Sequence, residues 1–248
     1  MDHKKRNRYG LIGKNIDYSF SKGYFTEKFK TLGLSNCSYE NFDLKHINEF
    51  QGTVLPQKSL SGFNVTIPYK QEIIPFLDEL SKEAEEIGAV NTIKLTKGGL
   101  IGYNTDAYGF KKALEPFLKP HHTSALILGT GGASKAVAYV LSSLGIDFIF
   151  VSRTQKEGQL TYECLTADNI KNHPLIINCS PVGTFPNNEQ KPQIPYIGIN
   201  SDTLLFDLIY NPALTAFLKE GEKRGAQTSN GYQMLVHQAE KAWELWNS

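Results

Sequence analysis

Three stretches of the 248-residue chain gather side chains that can do chemistry. The first is Gly129-Thr130-Gly131-Gly132-Ala133-Ser134-Lys135. It follows the apolar run Ala125–Leu128, and apolar residues then recur at 133, 136, 137, 140, 141 and 144, one face of a helix. Glycines between a strand and a helix permit a tight turn and let the backbone approach a pyrophosphate. The helix start adds free N–H groups and a partial positive charge. Gly129 and Gly131 take the first two glycine positions of a dinucleotide fingerprint, Gly132 is an extra small residue, and Ser134 stands at the third position. The competing reading is a strand-to-helix turn that holds no ligand. Context weighs against it, because another apolar run, Phe148–Val151, completes a strand–helix–strand unit of about thirty residues.

The second stretch begins where that next strand ends, at Ser152-Arg153-Thr154. A site for NAD usually has an Asp or Glu here to hold the ribose hydroxyls. This chain has no carboxylate until Glu157. Arg153 suits a 2′-phosphate through charge-assisted bonds, with Ser152 and Thr154 as hydroxyl donors and Lys156 as further charge. The cofactor expected is NADP. The bland alternative is a solvated Arg-Lys loop.

The third is a set of polar clusters in the first half. Asn64-Val65-Thr66-Ile67-Pro68-Tyr69-Lys70 ends a strand in hydrogen-bonding side chains. Pro68 then predicts a helix with Lys70 in its first turn, where a lysine opposes the helix dipole and favours a carboxylate or ligand nearby. Gly88-Ala89-Val90-Asn91-Thr92 and Asn104-Thr105-Asp106 are the other two. Taken singly, Asn91 and Thr92 read as strand polars and Asp106 as a helix cap.

The elements that must position these groups follow an alternating rhythm. Strands are expected at 9–12, 39–42, 63–67, 90–95, 100–103, 125–128, 148–151, 175–177 and 204–207. Helices are expected at 20–32, 106–118, 133–144, 213–223 and 232–246. Lys97-Gly98-Gly99 marks a hairpin turn. The alternation implies an α/β class with mainly parallel sheets. Glu115–Ser124, with Pro116, Pro120 and the His121-His122 pair, reads as a linker between two α/β units.

Composition narrows the function class. Lys plus Arg number 26 and Asp plus Glu 25, a net charge of +1, which argues against a general nucleic-acid binder. The longest apolar run, Ala136–Leu141, is far too short to span a membrane, and the basic start lacks the apolar stretch of a signal peptide. Cys37, Cys164 and Cys179 are odd in number and widely spaced, pointing to free thiols in a reducing cytoplasm. No metal site is expected, since His121 and His122 have no ligand-spaced partners. His237, Trp243 and Trp246 read as packing or exposed helix residues.

The combination of motifs resembles the shikimate dehydrogenase family along essentially the whole chain. It runs through 64–70, 88–92, 104–106, 129–135 and 152–154. It continues through Asn178-Cys179-Ser180-Pro181-Val182-Gly183, Asp207-Leu208-Ile209-Tyr210-Asn211-Pro212 and Asn230-Gly231-Tyr232-Gln233-Met234-Leu235, with Gln238-Ala239 beyond. The resemblance implies an N-terminal α/β substrate domain, residues 1–106 plus 229–248, and a Rossmann-like NADP domain, residues 107–228. The C-terminal helix returns to the first domain. It implies interconversion of 3-dehydroshikimate and shikimate with NADP, by a monomer or homodimer. Ser19, Ser21, Asn64, Thr66, Asn91, Tyr210 and Gln238 then bind substrate. Lys70 and Asp106 form the catalytic pair, with Lys70 either transferring the proton or stabilising developing charge. Gly129, Gly131, Gly132, Ala133, Ser152, Arg153, Thr154 and Gly231 fall to the cofactor.

Two departures from the family pattern stand out. Tyr18-Ser19-Phe20-Ser21-Lys22 keeps both hydroxyls of His-Ser-x-Ser-Pro but not the histidine or proline, and Thr184 replaces a frequent methionine. Two other readings compete: a quinate-using relative, whose usual NAD preference Arg153 opposes, and a non-catalytic dinucleotide-binding protein, which has no need of Lys70 and Asp106.

Overall fold

The computed structural model describes residues 6–17 and 19–248; the basic start of the chain and Tyr18 lie outside them. The chain divides into two compact units, Met1–Thr105 with Ala239–Ser248, and Asp106–Gln238.

The first unit holds β1 (Asn7–Gly13), α1 (Phe20–Thr31), β2 (Cys37–Asp43), β3 (Leu60–Val65), β4 (Glu79–Leu80), α2 (Lys82–Ile87), β5 (Thr92–Thr96) and β6 (Gly99–Tyr103). Its sheet runs β2-β1-β3-β5-β6-β4. The sheet is mixed though still mainly parallel: β1 pairs in parallel with β2 and β3, and β4 with β6, but β5 is antiparallel to both β3 and β6. The tight turn at Lys97–Gly98 dictates the last pairing, because a two-residue connection can only reverse the chain. One face of the sheet is an aromatic core in which Tyr9 stacks on Trp246 at 4.8 Å and Phe25 on Tyr39 at 4.7 Å. Gly62 makes room for Trp246, since a Cβ there would lie 2.2 Å from the indole nitrogen, and that indole N–H donates to the Ile93 carbonyl at 3.0 Å.

The expected helix after Pro68 does not form. Residues 67–73 make turns, and only Ile74–Phe76 closes a 3₁₀ turn. Pro75 is the cause. It has no N–H for the Gln71 carbonyl and disfavours helical backbone at Ile74, so the stretch between the two prolines is too short for a helix. Lys70 therefore sits on no helix N-terminus, and the dipole argument for it falls away.

The second unit holds all but the first residue of α3 (Thr105–Leu114), then β7 (Ser124–Leu128), α4 (Gly132–Ser143), β8 (Asp147–Ser152), β9 (Gln159–Thr161), α5 (Ala167–Asn172), β10 (Leu175–Asn178), β11 (Leu204–Asp207), α6 (Ala216–Glu222), β12 (Gln227–Ser229) and the start of α7 (Tyr232–Asn247), whose residues from Ala239 on belong to the first unit. All its strand pairs are parallel, in the order β9-β8-β7-β10-β11-β12. Counted from β7 this is 3-2-1-4-5-6, the doubly wound order of dinucleotide-binding sheets. Strands β7, β10 and β11 are mostly apolar and almost wholly buried, as strands covered on both faces require, while β8 is buried only toward its end.

The expected linker at Glu115–Ser124 lies inside this unit. His122 is buried, its Nδ1 accepts from the Lys119 N–H at 3.0 Å, and the Nε2 atoms of His121 and His122 reach the Asp202 carbonyl at 3.0 and 3.3 Å. The crossings expected at 106/107 and 228/229 differ by one and ten residues from those observed. The larger difference has a packing origin. β12 joins the sheet beside β11, and α7 begins against α3, where a Cβ on Gly109 would lie 2.5 Å from the Met234 carbonyl oxygen. No helix among the described residues is long and apolar enough to cross a membrane.

Candidate active site

In the second unit the glycine-rich turn leaves β7 with Gly129 at φ +109°, a conformation side chains rarely adopt. A Cβ there would touch the Cys179–Ser180 backbone at 3.4 Å, so the loops after β7 and β10 part at this glycine. That is the switch point of the sheet, where ligands of such folds bind. Gly131 is the N-cap of α4, with open space where a side chain would be. No side chain caps α4 and no acidic residue stands in its first turn. Gly132 and Ala133 begin the helix, so their backbone amides belong to an end suited to an anion. Ser134 has a different task from the glycine it replaces. It is fully buried, and its hydroxyl donates to the Gly131 carbonyl at 2.6 Å, tightening the turn.

At the end of β8, Arg153 and Thr154 are exposed, whereas Ser152 is buried and its hydroxyl donates to the Thr154 carbonyl. Its one proton is spent within the loop, whereas the Arg153 side chain stands in solvent. Gly231 is demanded by packing. A Cβ would lie 2.1 Å from the Leu208 carbonyl oxygen, and its N–H donates to Ile209 at 3.1 Å.

A buried network ties the later loops together. Asn178 donates to Asp207 at 3.0 Å and accepts from the Ser180 hydroxyl at 2.7 Å, while Asp207 also accepts from the Thr215 hydroxyl at 2.7 Å and the Ile209 N–H at 3.1 Å. Burial pushes the Asp207 carboxyl up to about 6, against the opposing effect of these bonds. Asp207 is part of a motif read from sequence, but Thr215 carries no chemical signal there. It is also the N-cap of α6, accepting from Leu218 at 3.3 Å. Tyr210 lies half-buried in the loop after β11, and Gln238 is buried on α7. Burial raises the Cys179 thiol above its ordinary value, which disfavours the thiolate.

In the first unit, Ser19 is the N-cap of α1 and its side chain accepts from the Ser21 N–H at 3.2 Å. This cap starts the helix without the missing proline. Lys22 is exposed. Asn64 is buried at the end of β3. Its Oδ1 accepts from Tyr39 at 2.8 Å, and its Nδ2 donates to the Thr92 hydroxyl at 3.1 Å and the Asn91 carbonyl at 3.3 Å. The Asn91 Oδ1 takes the Thr105 N–H at 2.6 Å and its hydroxyl at 3.1 Å, and so caps α3 from the bend before β5. Asp106 is thus the second residue of α3 rather than its cap, and it is buried. Thr66 lies just past β3, half-buried, and the Lys70 carbonyl accepts from Val90 at 2.7 Å. The structure therefore brings Ser19 to Ser21 and Asn64 to Asn91. Lys70 belongs to the first unit and Asp106 to the second. Tyr39 and Thr105, which join the polar chain, were not separable from core and cap residues by type alone.

Residues 11–93 match the model of the shikimate dehydrogenase substrate binding domain. A protein of Methanococcus maripaludis named shikimate dehydrogenase (NADP(+)) is 40% identical over 264 residues, covering 99% of this chain and 94% of the relative. The chain belongs to the shikimate dehydrogenase family. A crystal structure of a shikimate 5-dehydrogenase from Thermus thermophilus, in complex with NADP(H) and shikimate, superposes with a TM-score of 0.85 at 30% identity, over 97% of this chain and 93% of that one. A quinate dehydrogenase from Corynebacterium glutamicum in complex with NAD gives 0.86 at 26% identity, over 98% and 94%. Within the family, then, fold does not choose between substrates or cofactors, and the choice rests with individual side chains.

Proposed function

We propose that the protein is an NADP-dependent shikimate dehydrogenase, reducing 3-dehydroshikimate to shikimate and reversing the reaction, within the aromatic amino-acid pathway. The observation that carries this is the full-length likeness to the Methanococcus relative, joined to a β8 end that offers Arg153 where a carboxylate would select NAD. The N-terminal unit is read as the substrate domain and the unit from α3 onward as the cofactor domain.

The residues at the cofactor turn fit a dinucleotide. Gly129 and Gly131 leave room for a pyrophosphate, α4 presents an uncapped start, and Arg153 is exposed to meet a 2′-phosphate. When bound, NADPH supplies the hydride to the ketone carbon. The ketone oxygen must then gain a proton. Lys70 is assigned to deliver it, or to hold the developing charge while it arrives, and Asp106 is assigned to the same catalytic pair. Ser19 and Ser21 are assigned to the carboxylate, with Tyr210 near that end. Asn64, Thr66, Asn91 and Gln238 are assigned to the ring hydroxyls. Both serines are half-buried at the start of α1, where N–H groups add to their hydroxyls. Three free cysteines accord with work in the cytoplasm. A small-molecule substrate is all the reading requires.

The test is initial-rate absorbance at the nicotinamide band, with shikimate or quinate, each offered NADP or NAD. Turnover concentrated on shikimate with NADP supports the assignment. Comparable rates with quinate and NAD move the protein to the quinate branch of the family. NADP binding with no turnover of any pair defeats the enzymatic reading.

A further inference from the structure

Tyr39 lies on β2 with its ring buried and stacked on Phe25, planes 10° apart. A buried hydroxyl needs a partner, and this one donates its single proton to Asn64 Oδ1 at 2.8 Å. The Ser21 side chain on α1 reaches the same phenolic oxygen as a hydrogen-bond partner. Asn64 is held at its other end too. Both protons of its Nδ2 are engaged, by the Asn91 carbonyl at 3.3 Å and the Thr92 hydroxyl at 3.1 Å. The amide can adopt only this orientation, because a rotated one would turn its oxygen toward the Asn91 carbonyl and its nitrogen toward a hydroxyl proton.

We infer that Tyr39 is a positioning residue for substrate, its hydroxyl holding in place the acceptor oxygen of an Asn64 amide whose orientation the Asn91 carbonyl fixes, and supporting the Ser21 side chain. The inference deepens the proposed function and rests on Ser21 and Asn64 being substrate ligands. Asn64 then reads a hydroxyl that donates, which suits a ring polyol and not an ether or ketone at that position. Tyr39 touches no reacting atom, so its loss acts on substrate affinity and leaves the chemical step alone.

Tyr39→Phe removes one oxygen and keeps the ring and its stack. Steady-state kinetics on wild type, Tyr39→Phe, Ser21→Ala and the double variant provide the test, with thermal melting as a check on folding. We expect the shikimate KM of Tyr39→Phe to rise about fivefold, the loss of one buried hydrogen bond, with kcat and the NADP KM within about twofold. The double variant should raise KM by less than the product of the two single effects, since both act through one contact. A shikimate KM unmoved by Tyr39→Phe overturns the inference, as does a joint change in kcat and both KM values. Single effects that simply multiply also overturn it. Wild-type protein inactive on shikimate would sink the functional reading and this inference together, whereas active wild type with an unmoved Tyr39→Phe KM sinks the inference alone.

Discussion

Asn178 and Asp207 end adjacent parallel strands, and the Asn178 amide donates to the Asp207 carboxylate at 3.0 Å with both side chains fully buried. Burial raises the Asp207 pKa to about 6. A carboxyl whose folded pKa lies above its unfolded value binds its proton more tightly in the folded state, so stability falls as pH rises between the two values. From pH 4 to 7 this group should remove about 2 kcal/mol. Asp207→Asn keeps the size and has no such titration. Denaturant unfolding of both proteins across that range should give a stability difference that declines from pH 4 to 6 and levels by pH 7. A difference independent of pH would show an ordinary carboxyl.

Lys70→Ala should lower turnover by roughly 100-fold or more while leaving NADP affinity within about twofold, since the proton is required only when the ketone oxygen develops charge. Fluorescence titration with NADPH beside the rate assay separates the two. A folded variant that no longer binds NADP would contradict the assignment.

Arg153→Asp places a carboxylate at the end of β8, where it repels a 2′-phosphate and can accept from a ribose hydroxyl. The KM for NADP should rise by about 10- to 100-fold more than that for NAD. Equal losses for the two would argue against the 2′-phosphate contact.

Gly231→Ala meets the Leu208 carbonyl oxygen, 2.1 Å from an ideal Cβ. A backbone oxygen cannot swing aside as a side chain can, so the strand end or the start of α7 must shift. We expect a loss of about 2–3 kcal/mol in urea unfolding, together with weaker NADP binding. A variant as stable as wild type would mean that the loop yields easily.

The cofactor half of the molecule was legible because its central strands are runs such as Leu126–Leu128 and Leu204–Phe206, apolar on both faces, with the turn glycines directly after the first. The edge strand β12, Gln227–Ser229, carries three polar residues and has no pattern to read, so the second crossing was placed before α7 rather than within it. The helix read after Pro68 failed because a local rule at one proline was overruled by another seven residues on. Candidate ligands could be named by motif, but the order among them could not. That Tyr39 faces Asn64, or that Thr215 faces Asp207, depends on β2 lying beside β1 and α6 following β11 in space. Residue type alone makes Tyr39 one more core aromatic.

Trp246 closes the aromatic core of the first unit, against Tyr9, Phe25 and Tyr39, yet it follows the entire second unit in the chain. During synthesis the strands that surround it emerge first, and α1 covers only part of their apolar face until the last turns of α7 leave the ribosome. The dinucleotide-type sheet has all six strands before then and can fold in sequence order. Birth order and folding order thus run opposite in the two halves: the part made first is finished last, and its exposed aromatic face is what a chaperone would meet on the nascent chain.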